Sequence, residues 1–260
     1  AAVYTLLEDR LDCRWFTRDV ARLSRRDRVE LPALDFAYVP PFEYREIFWM
    51  EALQPDWAVR HRLNGANHKL EERHGGSIAF HPFVHTFNLI LPPSRHFAEH
   101  PEYYSEIDGK RTEARTQLCL THTDVLRLTI EQVRQWMREK PWATLYSVSQ
   151  NDWLNNCRCA ACRIIDEREG SPAGSLLAFV NAVAEAVEPE FPGKFIETLA
   201  YQYTRRPPKT IRPRANVRVR LCSIECCFAH PLEADCPENR AFREDIEAWS
   251  KITDRLYVWD

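Results

Sequence analysis

Glycine and methionine are scarce in this chain, at 7 and 2 of 260 residues. No Gly-rich turn follows any strand-like pattern, which removes the dinucleotide-binding loop as the expected chemistry. No apolar run approaches the roughly 20 residues that span a bilayer, so no transmembrane segment is expected. Nor do the first residues show the charged, apolar and small-residue order of a signal peptide. An excess of one charge is missing too: 35 Lys and Arg face 38 Asp and Glu, and no lysine-rich tail is present. Without a basic surface to neutralise phosphates, nucleic acid is not an expected partner.

Aromatic residues are plentiful, with 8 Trp, 9 Tyr and 13 Phe. A chain of this length can bury a sizeable core without staples, and most rings belong in that core. Rings left over suit sugar subsites, where the C–H faces of a pyranose stack on them. The 9 cysteines are an odd number, clustered at 119, 157, 159, 162, 222, 226, 227 and 236 with Cys13 apart. That count fixes no redox compartment.

Residues 1–11 read as an amphipathic helix with Val3, Leu6, Leu7 and Leu11 on one side, and 13–16 follow as a short strand or turn. The helix starts without a capping residue, which suggests a chain cut from a longer protein. A basic stretch at 22–28, then Pro32, Pro40 and Pro41, reads as a connection between domains and puts a boundary near residue 38. Beyond it, candidate strands lie at 42–49, 77–80 with 83–87 close behind, 116–120, 144–148, 195–201, 217–224 and 256–259. Helical patterns fall between them at 55–64, 123–139, 172–188 and 238–250. This alternation predicts an α/β fold of parallel strands and crossover helices. Polar residues at the ends of several different strands favour a TIM-type (β/α)8 barrel over an open sheet. With about seven of the eight strands in view, that barrel is expected to be incomplete at its C-terminal end.

The segment 143–152 is strand-like and stops abruptly on Gln150, Asn151 and Asp152. Strand ends are where chemistry sits in barrels and open α/β sheets. Asp152, beside amides and Trp153, is the leading proton donor if partial desolvation raises its pKa; the competing reading is a helix N-cap. Glu225 is the second carboxylate. In an apolar, thiol-rich strand it must be paired, with Arg220 or another Arg, or used together with Asp152 as the two-carboxylate set of glycoside hydrolysis. Glu197, on the preceding strand, faces the same alternatives. Arg45, Glu46, His85, Gln150, Gln202 and Asp260 are candidate binders of sugar hydroxyls. Trp49, Tyr201, Tyr203 and Trp259 are candidate stacking faces.

Cys157-Arg-Cys159-Ala-Ala-Cys162 places three thiols within six residues. They can ligate a structural zinc if a fourth donor arrives from Cys226, Cys227, Cys236 or His230, join in a disulfide, or pack as free thiols. The second paired half that makes zinc spacing specific is missing. A catalytic metal is not expected, because an all-thiolate site is closed to substrate, and no other cofactor is called for.

In chain order, Phe-Glu-Tyr-Arg-Glu at 42–46, His85-Thr-Phe87, His100-Pro-Glu-Tyr-Tyr104 with Asp108-Gly-Lys-Arg111, Gln117-Leu-Cys-Leu120, Ser147-Val-Ser-Gln-Asn-Asp152, the cysteine run, Leu199-Ala-Tyr-Gln-Tyr203, Cys222-Ser-Ile-Glu-Cys-Cys227 and Tyr257-Val-Trp-Asp260 form a set. Together they resemble glycoside hydrolase family 163, a bacterial family, over nearly the whole chain. The resemblance implies a TIM-like barrel over 39–260, related to those of β-hexosaminidases and α-glucuronidases, with 1–38 as the tail of the small α/β domain that precedes such barrels. It implies endo-β-N-acetylglucosaminidase action on N-glycans, with the substrate's 2-acetamido group as nucleophile and retained stereochemistry. Carried onto this chain, Asn151 would hold the acetamide, Asp152 would protonate the leaving oxygen, and Arg45 would grip sugar hydroxyls. The β-hexosaminidases carry an Asp-Glu pair where this chain has Asn151-Asp152, which keeps Glu225 as an alternative donor. A carbohydrate partner and a periplasmic, cell-surface or secreted location follow from the same resemblance. An α-glucuronidase-like or exo-acting hexosaminidase, and a non-catalytic carbohydrate-binding domain, are the other readings.

Overall fold

The structure, a computed structural model, describes residues 2–260. It divides into two compact units, Ala1–Ala79 and Phe80–Asp260. The boundary expected near residue 38 therefore falls inside the first unit.

The first unit opens with helix α1 (Ala2–Leu11); residue 1 of the expected helix lies outside the described residues. Strands β1 (Arg14–Trp15) and β2 (Ala21–Arg22) form a short antiparallel pair. Tyr4 meets Trp15 edge to face at 5.4 Å, and Arg62 reaches α1 through the Thr5 hydroxyl and an ion pair with Glu8. Helix α2 (Pro55–Arg60) starts with proline in its first turn, where the missing N–H costs nothing, and its Trp57 and Ala58 form a small core with Ala52 and Leu63. Residues 42–49, expected as a strand, form none among the described residues. Arg45 is tied to the 62–67 loop instead: its N–H donates to Asn64 Oδ1 at 2.8 Å, and its carbonyl accepts from the Asn64 and Gly65 N–H groups.

The second unit begins with short helices α3 (Phe87–Ile90) and α4 (Pro93–His96). Strands β3 (Glu106–Ile107) and β4 (Lys110–Arg111) make a hairpin whose two turn residues, Asp108 and Gly109, both have positive φ, at 49° and 75°. An Asp-Gly pair tolerates that geometry better than almost any other sequence. Helix α5 (Thr123–Glu139) buries Val125, Thr129, Val133, Trp136 and Met137, one face of a 3.6-residue period, and His122 caps it by accepting from the Asp124 N–H at 3.2 Å. Then follow β5 (Leu145–Ser147), α6 (Ala160–Glu169), α7 (Ala173–Val187), β6 (Phe195–Ala200), β7 (Val217–Cys222), α8 (Pro237–Ser250) and β8 (Leu256–Trp259).

Strands β5, β6, β7 and β8 pair in that order, all parallel. Phe80 adds an isolated parallel bridge to Leu145 on the free side of β5. The unit is thus mixed α/β, with a four-stranded parallel sheet and helices. Strand β7 is buried at every position and β6 at all but its first, the mark of strands covered on both faces. The core joins α5 and α7 to the sheet through Val133, Met137, Leu176, Val180, Val183, Ile196, Val219 and Leu221. Two other expected strands are absent: Phe87 opens α3, and 116–120 contributes only a single antiparallel bridge, Leu118 to Tyr104. Among the described residues no helix is long and apolar enough to cross a membrane.

Candidate active site

All four strands of the sheet point their C-terminal ends the same way, so the residues after β5, β6, β7 and β8 share one edge. Asp152 lies beyond β5 and is exposed, not desolvated as expected. It caps nothing, because the next helix, α6, starts only at Ala160. Its Oδ1 accepts a hydrogen bond from the Tyr201 hydroxyl at 2.7 Å, and Gln202 Nε2 donates to the same phenol oxygen at 3.1 Å. Burial first, then the hydrogen bond and charge of Asp152, and more weakly Cys222 and Glu225, push the Tyr201 phenol up to about 12. Tyr201 therefore stays protonated at neutral pH, with one carboxylate bonded to it and a second acting on it.

His85 joins this edge through its backbone and ring. Its N–H donates to Ser149 Oγ at 2.9 Å, and its Nδ1 lies 2.8 Å from the Gln150 carbonyl. A carbonyl only accepts, so Nδ1 is the donor in this contact, which turns Nε2 to the other side of the ring. The residue sits at φ 58°, a left-handed conformation uncommon outside glycine, and its ring centroid is 5.8 Å from that of Tyr201. At the far strands, Trp259 is half-exposed beside Phe83 at 5.4 Å, and Asp260 accepts from the Ser223 hydroxyl at 2.8 Å.

Asn151 and Gln150 are both engaged inside the protein. Asn151 is 2% exposed; its Nδ2 donates to Asn88 Oδ1 and the Thr116 carbonyl, both at 2.9 Å, while its Oδ1 accepts from the Asn88 N–H at 3.0 Å. Both amide donors are used inside the protein, which makes Asn151 the tether of the strand end and leaves one Oδ1 lone pair for anything else. Gln150 is fully buried and donates to Thr204 Oγ1 at 2.7 Å and the Tyr201 carbonyl at 3.2 Å, so it holds the turn after β6 and faces no solvent.

Beneath this edge lies a charged pair in the sheet itself. Glu197 on β6 is completely buried; Ser147 Oγ donates to it at 2.6 Å and Arg220 Nε on β7 at 3.1 Å. Burial pushes the Glu197 carboxyl up, and the Arg220 charge and the Ser147 hydroxyl work against that rise. The Arg220 guanidinium also lies over the rings of Phe80 and Trp259, at 4.7 and 5.5 Å. Of the two alternatives for Glu197, pairing is the one realised.

Glu225 is not in a strand. Strand β7 ends at Cys222, and Glu225 sits exposed in the following turn, 3.4 Å from Arg205 Nη1; Arg205 in turn pairs with Asp245 at 2.5 Å. Its partner is therefore Arg205 and not Arg220. Glu225, Arg205, Gln202 and Tyr203 line a cavity of about 310 Å³, closed on another side by Gly170, Ser171 and Pro172.

Arg45 and Glu46 lie in the first unit and are engaged there. Arg45 donates from Nε to the Arg62 carbonyl at 2.8 Å and from Nη1 to the Phe42 carbonyl at 2.6 Å. The Glu46 carboxylate accepts from the Asn67 N–H and Nδ2 at 2.9 and 3.0 Å. Trp49 is exposed in the same unit.

The cysteine run gains its fourth thiol from a place not anticipated. Cys119, Cys157, Cys159 and Cys162 are all buried, and their Sγ atoms lie within 4.8 Å of one another. Cys227, His230 and Cys236, expected as possible fourth donors, form a separate group, with Cys227 Sγ 3.1 Å from His230 Nδ1. Cys226 belongs to neither and packs on the main core.

The family described as a domain of unknown function (DUF4838) matches residues 15–260. The chain belongs to the DUF4838 family. No curated protein and no solved structure matches the chain. In this DUF4838 member the strand-end residues and the four clustered thiols all fall inside the matched span.

Proposed function

We propose that the chain carries a glycoside hydrolase site of the family 163 type, an endo-β-N-acetylglucosaminidase acting on N-glycans with retention, and that its sheet is part of a TIM-type barrel. Four parallel strands paired in chain order, with Phe80 beginning a fifth position beside β5, support the barrel reading. The observation that carries the function is Asp152: an exposed carboxylate at a strand end, fixed by the Tyr201 phenol. With Oδ1 held by Tyr201, Oδ2 is the oxygen that carries the proton toward the glycosidic oxygen. As the C1–O bond breaks, the acetamide carbonyl oxygen of the substrate bonds to C1. Water then attacks C1, the C1–O bond to the acetamide breaks and restores the amide, and the proton lost by the water returns to Asp152. The acetamide N–H needs an acceptor, and the open Nε2 of His85 serves better than the buried Asn151, which positions the strand end.

Incubation of the protein with an N-glycopeptide tests this reading. The expected products are an intact free glycan and a peptide retaining one N-acetylglucosamine. Release of single terminal sugars from aryl glycosides would instead indicate an exo-acting enzyme. Binding of glycan without turnover would leave a carbohydrate-binding domain.

A further inference from the structure

Four thiols from two separate stretches of chain close on one point. Cys119 ends the extended segment after the β3–β4 hairpin, Cys157 and Cys159 lie in the loop that follows Asp152, and Cys162 is in the first turn of α6. Their exposures are 3, 5, 8 and 1%. Cys119 Sγ lies 3.7 Å from Cys159 Sγ and 4.0 Å from Cys162 Sγ. A disulfide requires about 2.05 Å, and four mutually close sulfurs do not sort into pairs. A tetrahedron of sulfurs about 2.3 Å from a central zinc has edges of about 3.8 Å.

The groups around the sulfurs suit thiolates. The Glu106 N–H and Arg111 Nη1 point at Cys157 Sγ, at 3.4 and 3.6 Å, and the Thr121 hydroxyl lies 3.3 Å from Cys162 Sγ and 3.7 Å from Cys119 Sγ. Four thiolates around a divalent ion carry two negative charges, and Arg111 is the cation placed to offset part of that charge. Hydrogen-bond donors aimed at ligating sulfurs orient and stabilise metal-bound thiolates.

We propose that Cys119, Cys157, Cys159 and Cys162 form a structural zinc site that clamps the loop after Asp152 to the 116–121 segment and the β3–β4 hairpin. Four protein sulfurs close the coordination shell, so the ion is structural. Soft thiolate donors select zinc over the hard divalent ions. The loop it secures is the one tied at its other end by Asn151: Gln117 Nε2 donates to the Asn151 and Trp153 carbonyls at 3.0 and 2.7 Å, and Trp153 Nε1 donates to the Thr116 carbonyl at 2.7 Å. The site stands whether or not the glycosidase reading does.

Elemental analysis of protein purified under reducing conditions, with the Cys119→Ser and Cys227→Ser variants in parallel, tests it. Zinc is expected in the wild type, with one equivalent lost in Cys119→Ser and none lost from this site in Cys227→Ser. Because Cys119→Ser can also impair folding, cobalt exchange into the wild-type protein supplies a second readout: the expected spectrum is that of tetrahedral cobalt with strong sulfur-to-metal charge transfer, displaced by added zinc. A mass-mapped disulfide among these four cysteines, or four thiols that react freely in metal-free folded protein, would overturn the proposal. Stoichiometric iron in place of zinc would overturn the identity of the ion.

Discussion

The interior of the parallel sheet and its C-terminal edge use the same side chains to opposite ends. In the interior, Glu197 is closed off by Ser147 and Arg220. Away from the sheet, at the end of α6, Glu169 is equally buried and accepts from the Thr210 N–H and hydroxyl, the Ile211 N–H and Arg168. At the edge, Asp152 has one oxygen held and the other open, and Glu225 makes a single, half-exposed ion pair. A buried carboxylate must have its lone pairs occupied, because leaving them unpaired costs several kcal/mol. Occupied lone pairs cannot meet a substrate. At the edge Asp152 and Glu225 retain carboxylate oxygens with capacity left, and the proposed chemistry rests on that difference from the interior.

The largest expected effect is at the edge. Asp152→Asn keeps the shape and the acceptor for Tyr201 but removes the transferable proton, and glycan release should fall by about 10²- to 10⁴-fold. The unfolding midpoint should stay at the wild-type value, since the side chain is exposed. A variant with unchanged turnover would move the proton donor away from Asp152.

Next comes the interior. Glu197→Leu leaves Arg220 buried without its carboxylate, and denaturant unfolding should show a loss of about 3–5 kcal/mol. The double variant Glu197→Leu/Arg220→Met should recover much of that loss, because well-packed apolar side chains replace a buried ion pair at little cost. A double variant no better than the single one would mean that the pair acts through more than its own charges.

Much of this division was legible before the structure, and the exceptions have physical causes. Strands β5 to β8 and helices α5, α7 and α8 stand out because the strands are rich in β-branched and aromatic residues and the helices keep a 3.6-residue stripe. The stretch 42–49 has the composition of a strand but forms none among the described residues, and strand pairing is a tertiary property. Helix α6 went unread because it begins inside the cysteine run, whose residues suggested ligands before they suggested a helix. The Asp108-Gly109 turn carried an open hairpin signal. Cys119 as the fourth thiol had none, since its approach depends on the loop after Asp152 folding back to the 116–121 segment. The exposure of Asp152 between buried Asn151 and half-buried Trp153 is likewise set by which hydrogen bonds the loop makes, and no periodicity encodes it.

A smaller interior effect concerns Glu169. Burial alone would push this carboxyl up, but the Thr210 and Ile211 donors outweigh it and bring it down to about 2 from 4.5. A carboxyl whose pKa is lower folded than unfolded contributes stability that is complete above about 4.5 and disappears as the pH falls toward about 2. Glu169→Gln turns an NH₂ group against those donors and should lose about 1–3 kcal/mol at neutral pH. As the pH falls from about 4.5 toward about 2, the window in which this contribution fades, the wild type should lose stability more steeply than the variant.

The smallest effects separate the two edge carboxylates. Tyr201→Phe removes one hydrogen bond to Asp152, worth about 0.5–1.5 kcal/mol, so turnover should drop by roughly three- to tenfold with stability little changed. Glu225→Gln removes a partly solvated ion pair with an arginine that keeps Asp245, and the unfolding free energy should move by no more than about 1 kcal/mol. If Glu225 only shapes the cavity beside Tyr201, glycan release by Glu225→Gln should stay within a few-fold of wild type, as expected for a lost exposed pair. If it is the proton donor, that variant must instead show the large loss assigned to Asp152→Asn. Tyr201 feels both carboxylates, but its hydroxyl bonds to one of them, and that bond is the reason to expect the loss at Asp152.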